Sequence, residues 1–172
     1  MICPRCGYDN LPGNDTCSRC LCDLTALDRP APQDRVEHSL MADTVASLKP
    51  RAPVVVRNRA VVSDALRSLL DNDIGALLVV DESETLVGIF SERDILTKVA
   101  GLATPLEELA VEQFMTPKPE AVSPADTLAF ALHKMDVGGY RHLPVVENGK
   151  PVGIISVRDL IRHMTKMCRD KA

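Results

Sequence analysis

The run Val87-Gly88-Ile89-Phe90-Ser91-Glu92-Arg93-Asp94 returns 65 residues later as Val152-Gly153-Ile154-Ile155-Ser156-Val157-Arg158-Asp159. Both copies are apolar and then reach a serine with an aspartate three positions on. Upstream, residues 45–80 align with 111–146 at an offset of 66 without a gap: Val45 meets Val111, Pro53 meets Pro119 and Val56 meets Val122. Ala65-Leu66 meets Ala131-Leu132, and Val79-Val80 meets Val145-Val146. A turn one residue shorter in the second copy changes the offset to 65. Self-similarity on this scale dictates architecture. Two copies imply two halves packed about a pseudo-twofold axis rather than a solenoid.

Each copy has the same predicted order. The first opens with a short strand, Val54–Val56, then a helix capped by Ser63 with Ala65, Leu66, Leu69 and Leu70 inward. Strand Ala76–Val80, a turn over Asp81–Thr85, strand Leu86–Phe90 and a helix from Ser91 to about Val99 complete it. The second has a short strand at Ala121–Val122, a helix opened by Ser123 with Pro124 at its first position, an Asn148-Gly149 hairpin turn and a last helix opened by Ser156. Between the copies, Thr104-Pro105-Leu106-Glu107 reads as a capping box opening a connecting helix. Ahead of the first, Asp34 caps a helix carrying Val36, Leu40, Met41, Val45 and Leu48, which Pro50 and Pro53 end. Continuous apolar runs such as Leu77–Val80 indicate strands covered on both faces.

The β-α-β-β-α order, the Gly-apolar-apolar-Ser-x-Arg-Asp ending and the Leu143-Pro144-Val145-Val146 strand together resemble the CBS domain. In tandem they resemble a CBS pair, or Bateman module, over about residues 35–168. The expected fold is α+β. Its repeats are residues 35–100 with the leading helix and residues 101–172 with the connecting helix. The resemblance implies a regulatory rather than catalytic protein, a homodimer of stacked modules and an adenosyl ligand.

The ends of the chain have a different character. Five of the six cysteines lie within the first 22 residues, and Cys168 stands alone. Cys3-Pro4-Arg5-Cys6-Gly7 precedes Cys17-Ser18-Arg19-Cys20 by ten residues, so two C-x-x-C pairs offer four thiolates to one tetrahedral Zn²⁺. Pro4 sets φ early in the first knuckle, Gly7 suits a positive φ after it, and Asn10–Asn14 turns the chain between the two. Residues 1–22 resemble a short zinc ribbon; a redox dithiol is the competing reading. Cys22 reads as a spare thiol beside the ligands Cys3, Cys6, Cys17 and Cys20. Asp23 to Gln33, with Pro30 and Pro32, reads as a semi-stiff linker, so the ribbon is 1–22 and the linker 23–34.

Composition narrows the function classes. Net charge is −4, which gives no global attraction to nucleic acid or anionic membrane. No apolar run approaches the roughly 20 residues needed to span a bilayer, and the opening residues carry no secretory pattern. A cytoplasmic protein is expected. The ribbon carries Arg5 and Arg19 against Asp9 and Asp15 with Tyr8 its one aromatic, a poor grip on phosphates; protein contact is favoured over nucleic acid. None of His38, His133, His142 and His163 sits in a nucleophile or hydrolase motif, and there is no P-loop.

The repeated Ser-x-x-Asp has two readings. It is a helix N-cap with an acid at N3, needing no ligand. It is also a site where a helix N-terminus meets phosphate and a carboxylate meets a ribose diol. The family resemblance implies that Asp94 and Asp159 hold ribose and that Ser91 and Ser156 lie near phosphate. It also implies adenine contacts from Val54 and Val122 in the short first strands. Tyr140-Arg141-His142 introduces the strand of copy two where copy one has Ile74-Gly75-Ala76. By the same resemblance Arg141 and His142 contact phosphate; otherwise they are a solvated strand end. The two clefts are therefore expected to be unequal, with the second repeat favoured. The candidate ligands are AMP, ATP and other adenosyl compounds, with structural Zn²⁺ in the ribbon. The protein regulated in trans is unnamed by the sequence. A nucleic-acid-binding regulator and a ligand-free scaffold are the alternatives.

Overall fold

A computed structural model describes residues 1–11, 13–25 and 34–169. Pro12 and most of the expected linker, with its Pro30 and Pro32, lie outside the described residues. Helix α1 is Arg35–Ala42, opened as expected by Asp34, whose carboxylate accepts from the Glu37 N–H at 2.8 Å. It stops at Ala42 rather than continuing to Leu48. Asp43 is extended, and Val45–Leu48 forms a separate 3-10 turn.

Strand β1 (Val55–Arg57) leads to α2 (Val62–Asp71), β2 (Ala76–Val80) and β3 (Leu86–Ser91). Helix α3 (Glu92–Asp94) runs into a π turn over Ile95–Val99. Strand β4 (Thr116–Pro117) introduces the second repeat, followed by α4 (Leu128–Gly138), β5 (His142–Glu147), β6 (Lys150–Ser156) and α5 (Val157–Arg169).

The first sheet has the order β1-β2-β3-β4, with β1 parallel to β2 and the other pairs antiparallel. The second is the β5-β6 hairpin, flanked by single bridges at Val122↔Val145 (parallel) and Arg51↔Ile154 (antiparallel) that stand where β1 and β4 stand in the first. Both hairpins shift register at equivalent points, Val79/Val80 and Val145/Val146. Asn148 (φ 52°) and Gly149 (φ 80°) form the tight turn with both central residues left-handed, as this dipeptide favours.

The segment ahead of each repeat packs on the other repeat. Val45 N–H donates to the Asp126 carbonyl at 2.8 Å, Leu128 N–H to the Asp43 carbonyl at 3.0 Å, and Ile154 N–H to the Arg51 carbonyl at 3.2 Å. Val45 is buried in one core with Val122, Leu128, Leu143, Ile155 and Leu160, and Leu40 and Leu48 lie against it. Reciprocally, Val62 N–H donates to the Leu109 carbonyl at 2.8 Å and Val111 N–H to the Ala60 carbonyl at 2.9 Å. Leu109 and Val111 join the other core with Leu69, Leu77, Val79 and Phe90. The helix that sequence order groups with the first repeat thus covers the second.

This exchange overrides three local expectations. Thr104–Glu107 forms no capping box: Pro105 is extended, and short 3-10 turns at Leu106–Glu108 and Val111–Gln113 replace the connecting helix. The backbone of Leu109, Val111 and Glu112 pairs with Val62, Ala60 and Asn58 of the first repeat, which leaves no room for a helix to continue past Glu108. Ser63 does not cap α2; the N-cap is Val61, and the Leu109 carbonyl takes the Val62 N–H. Ser123 does not open α4 either. Its hydroxyl accepts from Ala125 N–H in a turn, while Thr127 is the N-cap and accepts from Phe130 N–H at 3.2 Å. Among the described residues no helix is long and apolar enough to cross a membrane.

Candidate ligand and metal sites

The two Ser-x-x-Asp units form as compact hydrogen-bonded corners where β3 and β6 end. In the first, Ser91 N–H and Oγ–H donate to Asp94 Oδ2 at 2.9 and 2.6 Å, and Asp94 N–H returns a bond to Ser91 Oγ. In the second, Ser156 N–H and Oγ–H donate to Asp159 Oδ2 at 2.8 and 2.7 Å. One carboxylate oxygen of each aspartate is therefore spent on the corner. The fate of the other, Oδ1, distinguishes the sites.

Asp94 Oδ1 receives Lys98 Nζ at 2.7 Å and lies 3.4 Å from the Thr116 hydroxyl on β4. Its side chain is 9% exposed. Burial works to raise this carboxyl, but bonds from Lys98 and Ser91 hold it below the ordinary carboxylate range. Among the described residues Asp159 Oδ1 meets only the exposed Arg162, at 3.2 Å, and its side chain is 24% exposed. Sequence reading missed Lys98 and Thr116. Lys98 was legible as an i,i+4 partner of Asp94, but Thr116 arrives only because β4 crosses onto the first sheet.

Arg141 and His142 belong spatially with the second corner. His142 is the register partner of Ser156, and Val157 N–H donates to the Arg141 carbonyl at 3.1 Å. The His142 ring also reaches the first repeat, lying against Gly75 and Glu92. Burial pushes its pKa below the ordinary histidine value, against the pull of Glu92 and Asp159. Arg93 and Arg158 are exposed. The Tyr140 ring folds back over Gly138 at the end of α4. Val54 is half-buried, with its carbonyl accepting from Leu78 N–H. Val122 is 2% exposed and spends both backbone groups on β5.

A cleft of about 340 Å³ opens between β1 and the start of β6, lined by Pro53, Val55, Val56, Arg57, Lys150 and Pro151 among others. Its size is that of a small-molecule site. It shares the first-strand residues with the expected adenine wall but lies at the far end of β6 from Ser156, so it does not include the carboxylates.

At the N-terminus, Cys3, Cys6, Cys17 and Cys20 place their sulfurs within 4.8 Å of one another. Cys3–Cys20 and Cys6–Cys17 are each 3.6 Å apart. Four sulfurs at about 2.3 Å from a zinc ion stand about 3.8 Å apart, so a set of this size suits tetrahedral Zn²⁺. Arg19 N–H and the Asn10 amide point at Cys17 Sγ. Burial opposes ionisation of Cys17, but the Arg19 and Cys20 N–H groups outweigh it and bring its pKa to about 6. The Cys6 thiol accepts from Tyr8 N–H, yet burial and the surrounding sulfurs push it up to about 12. Thiols this close do not all ionise together unless a cation sits among them. Cys22 lies outside the group: its carbonyl accepts from Cys17 N–H and its thiol faces the Asp23 carbonyl. Cys168 is exposed on α5.

The CBS-domain family model matches residues 45–101 and again 111–166. The chain belongs to the CBS-domain family. A 17.7 kDa protein of Acidianus ambivalens is 32% identical over 125 residues, covering 72% of this chain and 74% of that one. The CBS domain-containing protein CBSCBSPB5 of Arabidopsis thaliana is 38% identical over 115 residues, and the match spans only 21% of that protein. Among solved structures, CBSX2 in complex with AMP is 29% identical with a TM-score of 0.64, covering 72% of this chain and 97% of that one. A CBS-domain protein of Pyrobaculum aerophilum complexed with AMP is 26% identical with a TM-score of 0.63, covering 72% and 98%. The CBS pair is thus the body of this protein, and the cysteine cluster is a further element that fits a zinc ribbon.

Proposed function

We propose that this protein is a non-catalytic sensor whose CBS pair binds an adenine nucleotide, with a zinc ribbon that contacts the protein it regulates in trans. The observation carrying the nucleotide reading is the second corner. Asp159 keeps one oxygen beside solvent at the start of the 13-residue helix α5, next to Arg141 and His142. A carboxylate there suits a ribose diol. The helix N-terminus and the planar Arg fork suit a phosphate. The AMP complexes of two relatives support this class of ligand.

Zinc would be held by Cys3, Cys6, Cys17 and Cys20, and when bound it supplies a cross-link. All four positions are then filled, which leaves none for activated water. The ribbon exposes Ile2, Leu11 and Leu21, at 69%, 75% and 79%. Apolar tips favour a protein partner over phosphates. A homodimer and a cytoplasmic location are parts of the same proposal.

A melting screen of the full chain with AMP, ADP, ATP and S-adenosylmethionine tests it. A ligand at 100 times its Kd stabilises by roughly 2.7 kcal/mol. The shift should vanish in Asp159→Ala. If no adenosyl compound raises the melting temperature, the corners are only helix caps and the scaffold reading takes over.

A further inference from the structure

We propose that Lys98 is an intramolecular plug that closes the first nucleotide site, so that one chain binds one nucleotide, at Asp159. The inference rests on the nucleotide reading above and adds which site is used and why. The repeat makes the comparison exact in sequence terms. At the 65-residue offset Lys98 corresponds to His163, and at the 66-residue offset Thr116 corresponds to Pro50. Both members of the first pair attend Asp94: Lys98 Nζ at 2.7 Å and the Thr116 hydroxyl at 3.4 Å from Oδ1. Lys98 Nζ also donates to the Phe114 carbonyl at 2.8 Å, so the ammonium is held from two sides.

Neither counterpart attends Asp159. Proline has no hydroxyl. His163 is engaged elsewhere: its Nε2 lies 2.7 Å from Ser39 Oγ and 3.6 Å from Asp43 Oδ2, and Ser39 hydrogen-bonds Asp43 in turn. Ser39 is buried, and both partners come from α1 and the residue after it. The exchanged leading segment therefore holds the plug position of the second repeat away from its aspartate. The crossing of β4 delivers Thr116 to the first.

The chemistry explains why the plug holds. Ribose hydroxyls are neutral donors, whereas the Lys98 bond is charge-assisted and correspondingly stronger. A sugar displacing the ammonium would leave a nearly buried carboxylate without its counter-charge. At Asp159 a sugar displaces only a solvated Arg162 contact, which is weak at 69% exposure of the arginine.

Isothermal titration of the full zinc-loaded chain with AMP tests this. The wild-type protein should take one AMP, lost in Asp159→Ala and kept in Asp94→Ala. Lys98→Met should take two. Lys98→Met combined with Asp159→Ala should recover one AMP, at Asp94, and Lys98→Arg should stay at one. Thermal melting of each variant checks that it is folded. Two AMP per wild-type chain, or binding lost in Asp94→Ala and kept in Asp159→Ala, overturns the plug and leaves the nucleotide reading standing. One AMP in a folded Lys98→Met also overturns the plug. The same titrations with ADP, ATP and S-adenosylmethionine cover the rest of the class: if none of the four binds the wild type or any variant, the nucleotide reading is overturned and the plug with it.

Discussion

Gly88 and Gly153 are repeat-equivalent strand glycines, yet an alanine should be tolerated at one and not at the other. A Cβ at Gly153 would stand 2.7 Å from the Pro50 Cβ, and 3.5 Å from both the Arg51 carbonyl oxygen and the Val145 Cβ. Carbon pairs sit best at about 3.5–4.0 Å, so the overlap with Pro50 is about 1 Å. The Pro50 Cβ belongs to a ring and cannot rotate away. Relief requires the Pro50–Arg51 backbone to retreat, which breaks the Ile154-to-Arg51 bond that anchors the leading segment on β6. Overpacking costs about 1–3 kcal/mol and the hydrogen bond about 1. Lower chain entropy in the unfolded state returns about 0.4–1 kcal/mol. The net is about 1–3.6 kcal/mol lost, with its middle near 2.

At Gly88 the new Cβ comes even closer to its neighbour, 2.2 Å from Met115 Sδ. That neighbour is the middle of a flexible, half-buried side chain that can take another rotamer. The expected change is within about 1 kcal/mol of zero. Each kcal/mol moves the melting temperature of a body this size by roughly 3–5 °C. Calorimetry should therefore show Gly153→Ala lower by about 6–10 °C, from the middle of that range, and Gly88→Ala within about 5 °C of wild type. Equal losses, or a larger loss at Gly88, would refute the reasoning that stiffness of the neighbour outweighs the shorter distance.

Elemental analysis should find one zinc per chain, lost in Cys17→Ser and retained in Cys22→Ser, with melting of residues 34–169 unchanged in both. Because burial lowers the His142 pKa, the unfolded chain binds a proton there before the folded one does. Its contribution is present above about pH 6.5 and is lost as pH falls toward the folded value. Urea titrations from pH 7 to 5 should show that slope flattened in His142→Gln; an unchanged slope rejects the assignment. Thr127→Ala should cost about 1 kcal/mol as the loss of a true N-cap. Ser63→Ala should stay within about 0.5 kcal/mol, because α2 has no side-chain cap bond for it to lose.

Much of the fold was legible because the repeat is its own control. The hairpins, the Asn148-Gly149 turn and the Ser91 and Ser156 helix starts are set by local period and turn chemistry, which act within a few residues. The failures at Ser63, at Ser123 and in the connecting segment that follows Thr104–Glu107 share one cause. At each, a backbone group found a partner from the other repeat, and sequence rules for caps count only near neighbours.

The sequence alone determined that there are two equivalent β-α-β-β-α units, that each ends in a Ser-x-x-Asp corner, and that four cysteines stand at zinc spacing. Those are facts of periodicity and spacing, carried by covalent neighbours. Tertiary structure decided what distinguishes the units. Crossing of the leading segments gave Asp94 a threonine, gave Lys98 a second anchor at the Phe114 carbonyl, gave His163 to α1, and left Asp159 beside solvent with a weak arginine partner. Such pairings join residues far apart in the chain, so their energies are written in packing rather than in any local pattern.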